Sequence, residues 1–137
     1  MLRERAEKYY LEGDYNCAEA ILRAANDACA LGLREDALRL AGGFGGGMGR
    51  GEACGALCGA MAVISAVLIE TRAHATPGFK QKCADYVARF EGRLGGIDCR
   101  DLKPKYARDG RRCADAVALG AELLEEFLRE CHVVVQR

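Results

Sequence analysis

The stretch from Ala53 to Ile69 carries no charge and a single hydroxyl, Ser65. A helix that is apolar on every side has to be surrounded, by protein or by lipid. Its seventeen residues lie at the short end of what spans a bilayer. Ala, Gly and Cys also make it only mildly hydrophobic, so no membrane insertion is expected. The stretch reads as the buried central helix of a bundle, drawn from about Glu52 to Thr71. Gly51, Gly55 and Gly59 recur every four residues, a small-residue face that lets another helix approach closely.

That helix grows out of "GGFGGGMGRGEACGALCGAM", Gly42 to Met61, with nine glycines around two cysteines. A phosphate loop would need a lysine and a hydroxyl after its last glycine, and none follows here. No window satisfies GxGxxG and no strand precedes the run, so nucleotide binding by either motif is not indicated. The glycines are expected to act as a flexible lead-in that brings backbone close to Cys54, with Gly55 and Gly59 allowing tight packing behind it.

Helical periodicity covers nearly all the rest. A first helix over about residues 2–12 has Leu2, Ala6, Tyr9 and Tyr10 on its apolar side and stops at Gly13. Asn16 followed by Glu19 is the capping-box pattern, opening a helix to about Leu31 whose buried face is Cys17, Ile21, Ala24, Ala25 and Ala28. A short helix over about 34–41 enters the glycine run. Thr76–Pro77 predicts the start of a helix that ends at Gly95–Gly96. A turn around Cys99 and a loop containing Pro104 and Gly110 follow. The last helix spans about Arg111 to Cys131, with Cys113, Val117, Gly120, Ala121, Leu124, Phe127 and Leu128 as its stripe. No repeat or linker divides the chain. The expectation is one all-α domain over residues 1–137, a compact bundle of about five to six helices.

Twenty Lys and Arg balance twenty Asp and Glu, so no global field favours nucleic acid or an anionic membrane. The first residues contain no apolar segment of the secretory kind, and a cytoplasmic location is expected. A homodimer is compatible with the sequence, and no redox partner can be read from it. His74 and His132 stand alone and read as surface residues, and the five tyrosines are expected at the edge of the core.

Eight cysteines in a chain of this length point, in a reducing compartment, to metal binding or redox work. Cys17, Cys54, Cys99 and Cys113 all fall at expected helix starts, Cys99 with Asp98 as its cap. Free amides and the positive end of the helix dipole would lower a thiol pKa there. Cys29, Cys58, Cys83 and Cys131 fall within helices or near their ends. Between Arg100 and Arg112 six basic residues face two aspartates, a loop that would favour thiolates; its simpler reading is a solvated loop balanced by glutamates downstream. There is no CxxC, CxxCH or ferredoxin spacing. Cys54 and Cys58 share a helix face but are spaced too widely for an unstrained bridge within the turn. Any four-thiol centre must be assembled from distant segments.

Cys17, the "CGALCG" of Cys54 to Gly59, and then Cys99 and Cys113 resemble the C_GCAxxG_C_C family of redox-active proteins. Cys54, Gly55, Ala56 and Gly59 match its CGAxxG motif, while Leu57 and Cys58 occupy the variable positions. The resemblance implies a small helical cytosolic protein whose four cysteines are redox-active or bind an iron–sulfur centre. Three functions follow. The four thiols hold an iron–sulfur cluster for electron transfer; some of them cycle between thiol and disulfide without metal; or all four bind a structural zinc ion. Cys58 is a further candidate ligand. Zinc ranks last, because structural zinc sites draw ligands as close-spaced pairs.

Overall fold

In a computed structural model, which describes residues 1–137, the chain folds into seven α-helices and no sheet. They are α1 (Leu2–Glu12), α2 (Cys17–Ala28), α3 (Glu35–Leu38), α4 (Gly55–Leu68), α5 (Phe79–Leu94), α6 (Cys99–Tyr106) and α7 (Ala114–Glu130). The all-α expectation holds, with one helix more than the five to six drawn from sequence. The extra one is α6, expected as a turn and a loop. Pro104 sits inside it and removes one backbone donor. Tertiary anchors outweigh that loss. Leu102 is buried in the core, and the Tyr106 hydroxyl donates to the Leu94 carbonyl at 2.9 Å.

Helix ends moved in several places. The first turn expected from Thr76–Pro77 lies outside α5, because Gly78 takes φ 72 and the helix begins only at Phe79. Thr76 Oγ1 donates back to the Arg72 carbonyl rather than capping α5. Helix α2 stops at Ala28, short of Leu31, α4 is trimmed at both ends, and α7 starts after Cys113. Gly95 closes α5 as expected, in the left-handed conformation at φ 90.

One apolar cluster joins α1, α2, α4, α5 and α7. Helix α4 packs on α2 along its glycines. A Cβ on Gly59 would lie 2.7 Å from the Ala18 carbonyl oxygen, and one on Gly55 would overlap the Cys17 sulfur. The close approach expected from the glycine spacing is therefore present. Burial of α4 is complete on one side only: Ala60, Val63 and Ile64 lie in the core, while Cys58 and Met61 are half-buried. Further along, Ala62, Ser65 and Ala66 line an open apolar groove with Leu40 and Phe44. No helix is long and apolar enough to cross a membrane.

Of the tyrosines, Tyr86 lies in the core rather than at its edge. Its ring packs edge-on against Phe127 with centroids 5.3 Å apart, and its hydroxyl donates to the Gly120 carbonyl. His74 and His132 are exposed.

Candidate functional site

The N-terminal ends of α2, α4, α6 and α7 come together at one pole of the bundle, and each brings a cysteine. At α2 the capping box forms as the sequence predicts. Asn16 Oδ1 accepts from the Glu19 N–H and Glu19 Oε1 accepts from the Asn16 N–H, both at 3.0 Å. Asn16 Nδ2 also donates to the Gly42 carbonyl at 2.9 Å, which pulls the glycine run over the start of α2. Gly45 then lies so close to Asn16 that no side chain would fit there. The Gly46 and Ala18 amides act against the rise of the Cys17 thiol.

The glycine run turns through left-handed backbone at Gly46, Gly47, Met48, Gly49 and Gly51, with φ between 60 and 73. Glycine carries no penalty there. Gly47 is needed on a second ground, since its Cβ would lie 2.8 Å from that of Cys99. The lead-in presses backbone against Cys99, and its Phe44 carbonyl lies against Gly55, the residue after Cys54.

Cys54 and Cys99 are joined by a backbone device. Ala53 and Asp98 face each other in an isolated antiparallel bridge. The Cys54 N–H donates to the Ile97 carbonyl at 2.7 Å, and the Cys99 N–H to the Glu52 carbonyl at 2.6 Å. Both cysteines therefore leave the bridge straight into a helix: Cys54 stands just before α4 and Cys99 is the first residue of α6. Asp98 precedes α6 as expected but makes no capping hydrogen bond.

Cys113 stands just before α7. Its N–H donates to the Tyr10 hydroxyl at 3.2 Å. Arg112 lies over the Tyr10 ring, 4.3 Å from its centroid, and donates to the Tyr10 carbonyl. The end of α1 thereby clamps the start of α7.

Burial sets the electrostatics of this pole. The Cys54 thiol is pushed up to about 12, first by burial and then by the neighbouring Cys17, although the Ala56 and Leu57 amides act the other way. Burial likewise raises Cys17, against the Gly46 and Ala18 amides and with Cys99 adding to it. Cys113 is raised by burial and then by Cys99 and Cys17. The lowering expected from helix starts is thus overturned at these three positions. The amides are present, but the desolvation of a charged sulfur outweighs them. Left alone, these thiols stay protonated at neutral pH.

Gly55, next to Cys54, packs on the Cys17 sulfur, the Ala53–Asp98 bridge ties Cys54 to Cys99, and Cys17 and Cys99 both act on Cys113, so the four cysteines share one region of the fold. Cys58 borders it, since Cys17 raises its pKa after burial, and its sulfur lies 3.9 Å from the Ala53 carbonyl. As placed, no three side chains of Cys, His, Asp or Glu converge on a point where a metal ion could sit. All eight cysteines are unbridged. Cys29 lies near the other end, where Glu125 and Arg129 act on it; Cys83 sits on α5; Cys131 ends α7. Sequence reasoning missed Tyr10, the Ala53–Asp98 bridge and Gly47. Tyr10 carries only the signal of an apolar face, and the bridge carries none.

A family model described as "Putative redox-active protein (C_GCAxxG_C_C)" matches residues 15–127. The chain belongs to this family. The matched span takes in all four of the gathered cysteines. No curated protein and no solved structure matches the chain.

Proposed function

We propose that this C_GCAxxG_C_C protein is a thiol–disulfide redox protein whose working groups are Cys17, Cys54, Cys99 and Cys113. The observation that carries the reading is that four cysteines, the outermost 96 positions apart, come together at four helix starts, with Gly55 packed on the Cys17 sulfur and the Ala53–Asp98 bridge tying Cys54 to Cys99. As they stand, no three of them surround a common point, and thiol–disulfide exchange needs no metal. In the reaction two thiols give up two protons and two electrons and form one S–S bond, and an external disulfide takes up the electrons. Burial favours the neutral thiol at Cys17, Cys54 and Cys113. The helix-start amides favour whichever sulfur becomes charged during exchange. Free thiols in this number suit a reducing cytoplasm.

A second reading, an iron–sulfur electron carrier, draws support from the same amides. Gly46 and Ala18 at one sulfur, and Ala56 and Leu57 at another, are the donors that tune a cluster's sulfurs. It would require the four thiols to draw closer together than they stand.

One experiment separates the readings. Protein purified without oxygen is analysed for iron and zinc, and its thiols are titrated before and after mild oxidation. The thiol–disulfide reading expects no stoichiometric metal and a loss of two or four thiols that dithiothreitol restores. A brown protein with bound iron, or a thiol count that oxidation leaves unchanged, would overturn it.

A further inference from the structure

Beside Cys99 lies a cleft of about 510 Å³, ample for a small ligand. One wall is the backbone of Gly46, Gly49 and Gly51. A Cβ on Gly46 or Gly49 would meet nothing within 4 Å, so this wall is low and open. The other wall is the start of α6, with Cys99, Arg100 and Lys103. No carboxylate lines the cleft.

Of the six basic residues between positions 100 and 112, carboxylates hold two, and of the other four Arg100 and Lys103 line the cleft. Arg108 and Arg111 are neutralised by Asp115, Arg111 also by Glu7. Arg112 is spent on Tyr10, and Lys105 reaches the Gly95 carbonyl. Arg100 and Lys103 form no ion pair. Arg100 Nε donates to the Gly51 carbonyl at 3.0 Å, which fixes its guanidinium at the cleft while leaving its terminal nitrogens free. In a chain with zero formal net charge, an opening that combines a thiol, two unpaired cations and no anion is selective for negative charge.

We infer that this cleft takes a small carboxylate-bearing disulfide, and that Cys99 is the thiol that meets it. The inference rests on the thiol–disulfide reading above and names its substrate class. Cys99 Sγ gives up its proton and attacks one sulfur of the bound disulfide. A new S–S bond forms, the old one breaks, and the departing thiolate takes up a proton. A second thiol of the cluster then loses its proton and attacks Cys99 Sγ. The internal disulfide forms and the second small thiol leaves. Two protein thiols are oxidised and one small disulfide is reduced to two thiols. Cys54 cannot begin this sequence, since it is 7% exposed.

The test compares two disulfides on the reduced full chain: dithiodipropionate, with two carboxylates, and neutral hydroxyethyl disulfide. Each rate is divided by that with a free small thiol, which removes intrinsic reactivity. The anionic compound should show an advantage on the order of tenfold, and mass spectrometry should place the first adduct on Cys99. Arg100→Gln combined with Lys103→Gln should erase the advantage, bringing the two normalised rates together, as expected for steering by charge. Equal normalised rates, or a first adduct on another cysteine, would refute the cleft's role while leaving the thiol–disulfide reading in place. If neither compound oxidises the protein, both fall together.

Discussion

The two ends of the bundle use the same residue differently. At one pole Cys17, Cys54, Cys99 and Cys113 sit at helix starts, and backbone amides act on the sulfurs of Cys17 and Cys54. At the other, Cys29 closes α2 and Cys131 closes α7, where carbonyls rather than amides face outward. There Arg129 binds the Glu125 carboxylate and the Val135 carbonyl, and the Gln136 N–H reaches the Ala28 carbonyl. A cysteine at a helix start can be stabilised as an anion, whereas one at a helix end meets the negative end of the dipole. Position along the helix decides whether amides or carbonyls face a sulfur, and burial then decides how readily that sulfur ionises.

The largest effect should come from breaking the first pole. Cys17→Ser, Cys54→Ser, Cys99→Ser and Cys113→Ser are each expected to abolish reversible oxidation, read as thiols titrated before and after oxidant. A double substitution should be little worse than a single one, because groups that act as a unit are not additive. Cys29→Ser and Cys83→Ser should leave oxidation intact and cost about 1–3 kcal/mol where the new hydroxyl lacks a partner. Cys58→Ser should weaken oxidation without ending it. Loss at Cys29 with none at Cys17 would reverse the assignment of the two poles.

Next in size is the seam that holds the pole together. Gly59→Ala puts a methyl group against the Ala18 backbone, which cannot swing aside. It should destabilise by about 1–3 kcal/mol in urea, even though alanine is the better helix former. Gly55→Ala should do the same and also displace the Cys17 sulfur, so that oxidation falls with stability. Gly92→Ala, on α5 with open space around it, should raise stability by up to about 1 kcal/mol. A Gly59→Ala protein as stable as the parent would mean that α2 and α4 are not in contact there.

What the sequence revealed about this pole was the periodic and local part. The capping box at Asn16, the stripe of α7 and the glycine face of α4 each depend on residues a few positions apart. The four cysteines were selected by helix starts and by the family pattern alike. Helix α6 was missed because Pro104 argues locally against it, and what holds it, Leu102 in the core and Tyr106 on Leu94, is tertiary. The Ala53–Asp98 bridge could not be read, since it joins two single residues 45 positions apart with no alternating pattern around them. The thiol ionisation was misjudged for a related reason. Amides at a helix start are a local property, while burial depends on the whole packing.

The smallest effect, and the one that sharpens the contrast most, lies in the pH dependence of stability. At the far pole Glu125 is 7% exposed, and burial works to raise its pKa; yet the Leu2 N–H at 2.8 Å and the Arg129 guanidinium hold its carboxyl below the ordinary range. A carboxyl lowered in the folded state adds stability above its unfolded value, and that stability is lost as pH falls through the lower folded value. At the thiol pole the sign is opposite. Cys54 rises from 9.0 to about 12 on folding, so the folded state prefers the neutral thiol. Its contribution is complete below pH 9.0 and drains away toward about 12, by at most about 1.4 kcal/mol per pH unit. Urea midpoints of the reduced protein, measured across both ranges, should therefore fall at each extreme. Glu125→Gln should flatten the acid limb alone, and Cys54→Ala the alkaline limb alone. If Cys54→Ala leaves the alkaline slope unchanged, the buried thiol is not the group that titrates there, and the pole owes its alkaline sensitivity to a neighbour such as Cys17 or Cys113.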